Sequence, residues 1–235
     1  MEHVEQSALA NDFTELRIEP KPAYEFIKRV QDLILATTAL ILLAPLWLFM
    51  ALIIRLTTPG PAIYRQKNVV GRYGKLMTVY KFRTMYVNSN EADHNKTIAR
   101  FVKGEQIDTI EKDGKKIPVY KKTSDPRVTP IGRILRKSGL DEIPQLMNVL
   151  KGEMSLVGPR APLLFEYEHY TAAQKPRMEV MPGITGLYQV TARSMVTFDR
   201  MIEIDMDYIK RRSFWLDLQI MLLTPWVLIT GKGAY

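Results

Sequence analysis

Between Leu33 and Ile54 the sequence reads LILATTALILLAPLWLFMALII, 22 residues without a charge. A run of that length suffices for one helix to cross a hydrocarbon core of about 30 Å, and it constrains the fold more than any other feature of the chain. It begins too late and runs too long for a secretory signal, and no small-residue cleavage site follows it. Lys28 and Arg29 precede it while Arg55, Arg65 and Lys67 follow it, so the positive-inside rule assigns no orientation and both ends can face the cytoplasm. Pro45 divides the run into 12 and 9 residues, about 18 and 14 Å of helix, neither long enough to cross alone. Two arrangements remain open: a proline-broken helix that dips into the bilayer and returns, and a kinked helix that spans it. In the first, Thr37 or Thr38 can offer a hydroxyl to backbone groups freed at Pro45.

A chain of 235 residues has room for one sizeable domain with appendages. It divides into a polar leader (1–22), the membrane helix (23–56) and a remaining domain (57–235). There is no cysteine, which excludes disulfide frameworks, thiolate nucleophiles and Cys-ligated zinc or iron–sulfur sites. The net charge of +8 is unevenly spread: Met1 to Pro20 carries five acids and one arginine, whereas Lys21 to Met85 carries ten bases against Glu25 and Asp32. A basic stretch bracketing the greasiest segment points to anionic lipid or phosphate before nucleic acid. No aromatic-interleaved repeat or DNA-reading motif is present, so nucleic acid is not an expected partner.

After the Thr57-Thr58-Pro59-Gly60-Pro61 breaker, AIYRQKNV and LMTVYKFRTM flank GRYGK and read as a hairpin with a glycine-rich turn. The two-residue period puts Met77, Val79, Lys81, Arg83 and Met85 on one face; taken alone, its cations read first as a solvated basic face. Asn88 to Thr123, with an Asp113-Gly114 turn signal, reads as surface helix and loop. Leu163 to Met178 reads as one helix ending before a Pro182-to-Gly186 turn, and Phe198 to Arg212 as another. Phe214 to Thr230 is apolar but interrupted by Asp217, Gln219 and Pro225, which favours an interfacial or core helix over a second span.

The chemistry concentrates between Leu135 and Arg160, LRKSGLDEIPQLMNVLKGEMSLVGPR. Asp141 and Glu142 fall near the start of a helix that Lys151-Gly152 stops. With Asp141 as N-cap, Pro144 lies in the first turn, where its missing N–H breaks no hydrogen bond; with Ser138 as cap it would kink the helix. The first register is expected. It sets the carboxylates beside free N–H groups that favour a bound anion.

The proline-broken apolar segment, GRYGK closing in KFRTM, DPRVTPIGRILRKSGLDEIPQL, NVLKGEMSLVGPR, PGITG and FWLDL together resemble the bacterial sugar transferase family, the monotopic phosphoglycosyl transferases. The similarity covers about Lys28 to Thr230. It implies an α+β, mainly helical, monotopic membrane protein with a re-entrant helix broken at Pro45, a small β-hairpin and interfacial amphipathic helices. The implied reaction moves a sugar 1-phosphate from a nucleotide diphosphate sugar to a polyprenyl phosphate, typically undecaprenyl phosphate, at the cytoplasmic face of the bacterial inner membrane. By the same resemblance residues 57–235 form the cytoplasmic catalytic domain, Asp141 is the nucleophile and Glu142 assists magnesium binding. Lys81, Arg136, Arg160 and Arg193 match family cations assigned to substrate phosphates, and Asp217 matches a late family acid. Membrane lipids are expected partners, and a homo-oligomer is left open.

The chemistry of these residue types agrees. An aspartate with an ordinary pKa of about 4 is ionised at neutral pH and needs no general base to attack phosphorus, only cations to screen its repulsion from the diphosphate. Mg²⁺ takes few carboxylates together with phosphates and waters, and the arginine fork suits phosphate oxygens. Taken singly, each arginine can instead be a salt-bridge or helix-end contact, and Asp217 in its apolar run needs a partner, an arginine or a metal. Three motifs depart from the family: Pro159-Arg160-Ala161 stands for Pro-Arg-Pro, Ala44 for a serine before the membrane proline, and Thr191-Ala192-Arg193 for Asn-Gly-Arg. A non-catalytic scaffold that recruits glycan enzymes is the rival reading, and a basic membrane-surface or nucleic-acid binder the next.

Overall fold

In the computed structural model, residues 18–87, 91–112, 115–120, 122 and 125–230 are described; most of the expected leader and the Asp113-Gly114 turn lie outside them. Helix α1, Pro22–Thr57, contains the whole apolar run and continues through Pro45 without ending there. Pro22 stands at its start, where a missing N–H costs nothing. Thr58 closes it, bonding Ile54 O through its backbone N–H at 3.1 Å and its Oγ1 at 3.0 Å.

Both ends of α1 are fastened to the rest of the chain. Near its start, Arg29 Nη1 and Nη2 donate to the carbonyls of Val149 and Leu150 at 2.6 and 3.0 Å, and Asp32 accepts from the Leu156 N–H at 3.1 Å. Near its end, Trp47, Met50, Ala51 and Ile54 pack with Phe82 and Leu135. The buried guanidinium of Arg83 donates to Pro59 O at 2.7 Å and to Thr58 O and Oγ1 at 2.8 and 2.7 Å, so Arg83 serves the helix end. The strand ends at Phe82, and the shared face with Lys81 goes no further.

The expected hairpin is present: β1 (Ile63–Val70) pairs antiparallel with β2 (Leu76–Phe82), with a bulge between Gln66 and Val69 and a 3-10 turn at Arg72–Gly74. The described residues between 88 and 123 hold more order than expected. Helix α2 (Glu91–Val102) is followed by a second antiparallel hairpin, β3 (Asp108–Lys112) and β4 (Lys115–Val119). Its strands are short and charged, so no apolar alternation marked them in the sequence.

Helix α3 (Pro130–Ser138) is capped by Thr129, whose Oγ1 accepts the Gly132 N–H at 2.9 Å. Gly139 ends it at φ 71, and a 3-10 turn, Leu140–Gln145, leads directly into α4 (Leu146–Lys151). The cap in front of the dyad is therefore Gly139, not Asp141, and Pro144 lies inside the 3-10 turn. A left-handed residue was needed to turn the chain between two helices, and glycine accepts that conformation without a Cβ clash. Gly152, at φ 80, stops α4 as expected.

The stretch 163–178 is not one helix. It forms a single turn, α5 (Leu164–Tyr167), and a 3-10 turn, Lys175–Glu179, whose second residue is Pro176. Proline has no N–H to carry an α-helical ladder across that point. PGITG is likewise more than a turn: β6 (Gly183–Thr185) pairs in parallel with β5 (Ser155–Val157). Gly158 N–H reaches Thr185 O and Gly183 N–H reaches Pro159 O, both at 2.9 Å. A Cβ on either glycine would run into the facing backbone. Helices α6 (Leu187–Thr191), α7 (Phe198–Arg211) and α8 (Phe214–Thr230) complete the described order, mainly helical with three two-stranded sheets.

Candidate functional site

The Asp141–Glu142 turn lies against the end of β2, and three ties hold it there. Asn148 of α4, fully buried, donates from Nδ2 to Thr78 O at 2.7 Å and accepts from the Tyr80 N–H at 3.2 Å. Thr84 accepts the Arg136 Nε–H on its hydroxyl at 2.9 Å and the Thr129 N–H on its carbonyl at 3.0 Å. Leu228 of α8 packs over Gly139, and a side chain there would have to displace its methyls.

This framework brings cations to the dyad. Lys81 Nζ stands 3.8 Å from Glu142 Oε1, both side chains partly open to solvent. Burial lowers the Arg136 pKa and the Asp141 charge opposes that shift, while burial likewise lowers Arg193 and Glu142 opposes it. Arg136 thus feels Asp141, and Arg193 feels Glu142. Both guanidiniums remain charged at any physiological pH. Arg193 is held at φ 48, in the left-handed region that a non-glycine residue adopts at a cost.

Arg160 is placed differently. Its Nη1 donates to both oxygens of Glu166, at 2.8 and 3.0 Å, and the negative charge of Glu166 raises its pKa. Tyr188, on α6, lies in the field of both Arg160 and Arg193; burial pushes its hydroxyl up to about 12, with Arg160 acting against the shift. Asp217 is paired with a lysine. Lys28 of α1 pairs with its Oδ2 at 2.7 Å, Tyr24 donates to the same oxygen at 2.8 Å, and Tyr208 donates to Oδ1 at 2.8 Å. These contacts fasten α1 to α8.

Sequence reasoning missed Thr84, Asn148, Glu166 and Lys28. Asn148 gave the clearest signal, a lone amide inside the apolar run LMNVL. Glu166 and Lys28 gave none, because each reads as an ordinary charge until its partner is known.

Two carboxylates beside three cations suit a doubly or triply charged phosphate ester carrying a divalent ion. Among the described residues no group of three or more His, Cys, Asp or Glu could cage a metal. A pair of carboxylates completed by substrate phosphates is the pattern magnesium takes, so Asp141 and Glu142 fit that ion.

A family model described as "Bacterial sugar transferase" matches residues 23–231. A galactosyl transferase of Streptococcus agalactiae is 42% identical over 176 residues, 74% of this chain and 36% of that protein. An undecaprenyl-phosphate galactose phosphotransferase of Salmonella typhimurium is 40% identical over 220 residues, 92% of this chain and 43% of that protein. A UDP-glucose:undecaprenyl-phosphate glucose-1-phosphate transferase of Caulobacter vibrioides is 37% identical over 225 residues, 92% of this chain and 74% of that protein. The chain spans less than half the length of the first two.

Proposed function

The chain belongs to the bacterial sugar transferase family, and from that premise we propose that it transfers a sugar 1-phosphate from a nucleoside-diphosphate sugar, a UDP-sugar, to undecaprenyl phosphate. The transfer would initiate exopolysaccharide, capsule or glycoconjugate synthesis on the cytoplasmic face of the inner membrane. The observation that carries this reading is the dyad turn set among Lys81, Arg136 and Arg193 on a body whose attached helix is apolar and outward-facing.

Asp141 is the nucleophile. One carboxylate oxygen forms a bond to the sugar-bearing phosphorus while the bond from that phosphorus to the nucleoside monophosphate breaks. An oxygen of undecaprenyl phosphate then attacks the same phosphorus, and the Asp141 carboxylate leaves. The two substrates need never meet, which suits partners of opposite solubility. Lys81, Arg136 and Arg193 screen the approach of an anion to an anion, and Arg160 receives a phosphate oxygen. Glu142, with Asp141 beside it, would hold magnesium, which supplies further screening of the diphosphate.

The re-entrant arrangement belongs to the same proposal. A straight helix of 36 residues is about 54 Å long. Contacts with one folded body at Arg29 and Asp32 and again at Trp47 to Thr58 support both ends lying on one side of the bilayer.

The test is nucleoside monophosphate release by the membrane-embedded protein given a UDP-sugar, undecaprenyl phosphate and Mg²⁺. Release should follow ping-pong kinetics, stop with EDTA and return with Mg²⁺, and Asp141→Asn should lower it by about 10³-fold or more. Sequential kinetics with full activity of Asp141→Asn would reject the mechanism.

A further inference from the structure

Behind Arg160 lies a cluster that the reaction itself does not use. Arg177 is fully buried and donates from Nε and Nη2 to Asp205 Oδ2 at 2.8 and 2.6 Å, from Nη1 to the Tyr170 hydroxyl at 2.5 Å, and from Nη2 to the carbonyl of Arg160 at 2.7 Å. Tyr170 in turn donates to Glu166 Oε1 at 3.3 Å, and Glu166 grips the Arg160 guanidinium. Arg160 is therefore held twice, by its backbone carbonyl through Arg177 and by its side chain through Glu166.

The burial pattern is uneven. The side chains of Glu166, Arg177 and Asp205 are 1%, 0% and 0% exposed, whereas that of Arg160 is 39% exposed. The charges of the four residues cancel, and a balanced buried ion cluster is weak evidence for stability, because well-packed apolar groups of similar volume often serve as well or better. A cluster that ends in one partly exposed arginine is better explained by what it does to that side chain. Arginine carries much rotamer freedom that a ligand must otherwise freeze, and a site with that freedom already removed binds and orients its ligand more effectively.

We propose that Glu166 and Arg177 are positioning residues that hold Arg160 ready for a phosphate of the donor diphosphate, an inference resting on the transferase reading above. The Tyr188 hydroxyl feels the charges of both Arg160 and Arg193.

The experiment is a double-mutant cycle on nucleoside monophosphate release, paired with ¹⁵N NMR of the Arg160 Nε–H in the protein without substrate. Glu166→Asp keeps the charge but withdraws the carboxylate, and should lower kcat/KM for the nucleotide sugar about tenfold, chiefly through KM. In an Arg160→Ala background the same change should have no further effect, and the ordered Arg160 signal of the wild-type protein should broaden in Glu166→Asp. Equal losses in both backgrounds, or unchanged KM and an unchanged Arg160 signal in folded Glu166→Asp, would overturn the proposal. Should Glu166→Asp fail to fold, Glu166→Gln enters the same cycle and is judged by the same outcomes. A wild-type protein that releases no nucleoside monophosphate would refute the transferase reading, while the NMR arm would still decide whether Glu166 holds Arg160.

Discussion

Single charges in this protein act through partners distant in sequence. Lys28 and Asp217, 189 residues apart, pair at 2.7 Å with side-chain exposures of 11% and 1%. Removing one member of such a pair leaves a buried charge without its counter-ion, which costs about 3 kcal/mol or more. Lys28→Met should therefore lower the denaturation midpoint of the detergent-solubilised protein clearly. Lys28→Met with Asp217→Leu should recover a large part of the loss, and thermal unfolding of both variants measures it. If the double variant is as unstable as the single one, the pair is not what secures α1 to α8. From sequence alone Asp217 showed only that it required a partner; which cation met that need depended on how α1 crosses the folded body.

Among the described elements, α1 is the helix long and apolar enough to cross a membrane. Its start is bonded to the end of α4 through Arg29, and the residue that closes its end, Thr58, is bonded by Arg83, the residue that follows β2. Both anchors belong to the body that bears the dyad, so Ala23→Cys and Thr57→Cys should be protected together from a membrane-impermeant maleimide added outside intact cells. The natural chain has no cysteine, which leaves each introduced thiol as the only target. Labelling of one position and not the other would establish a spanning helix. At this scale the long apolar helix, the first hairpin, α7 and α8 were all legible, since each carries its period or its length in the sequence. The second hairpin, the broken 163–178 segment and the parallel β5–β6 pair were not. The second hairpin has short charged strands without apolar alternation, the 163–178 segment is interrupted at Pro176, and the β5–β6 pair joins residues remote in sequence.

Taken whole, the protein presents an apolar exterior made by two helices from opposite ends of the sequence. Phe26, Ile34, Ile41, Leu42, Leu48 and Leu52 on α1 are exposed, as are Trp215, Leu222, Trp226 and Ile229 on α8. Exposed apolar side chains in such number mark contact with lipid or protein, and tryptophan favours the level of the headgroups. In single-tryptophan variants reconstituted in bilayers, brominated lipid should quench Trp215 and Trp226, whereas aqueous acrylamide should leave them largely untouched. Efficient acrylamide quenching of both would mean that α8 does not lie in the interface.

The sequence by itself determined that the chain carries a membrane-length apolar helix interrupted by proline, and that an acidic pair, several cations and two glycine turns would supply the chemistry. Composition and local period are enough for that, because helix length, backbone freedom and charge are properties of neighbouring residues. Only the tertiary structure decided which cations face the dyad, that Arg160 answers to Glu166 and Arg177, and that Asp217 clasps Lys28. Burial and charge pairing depend on distances in space between residues remote in sequence, and no local pattern carries those distances.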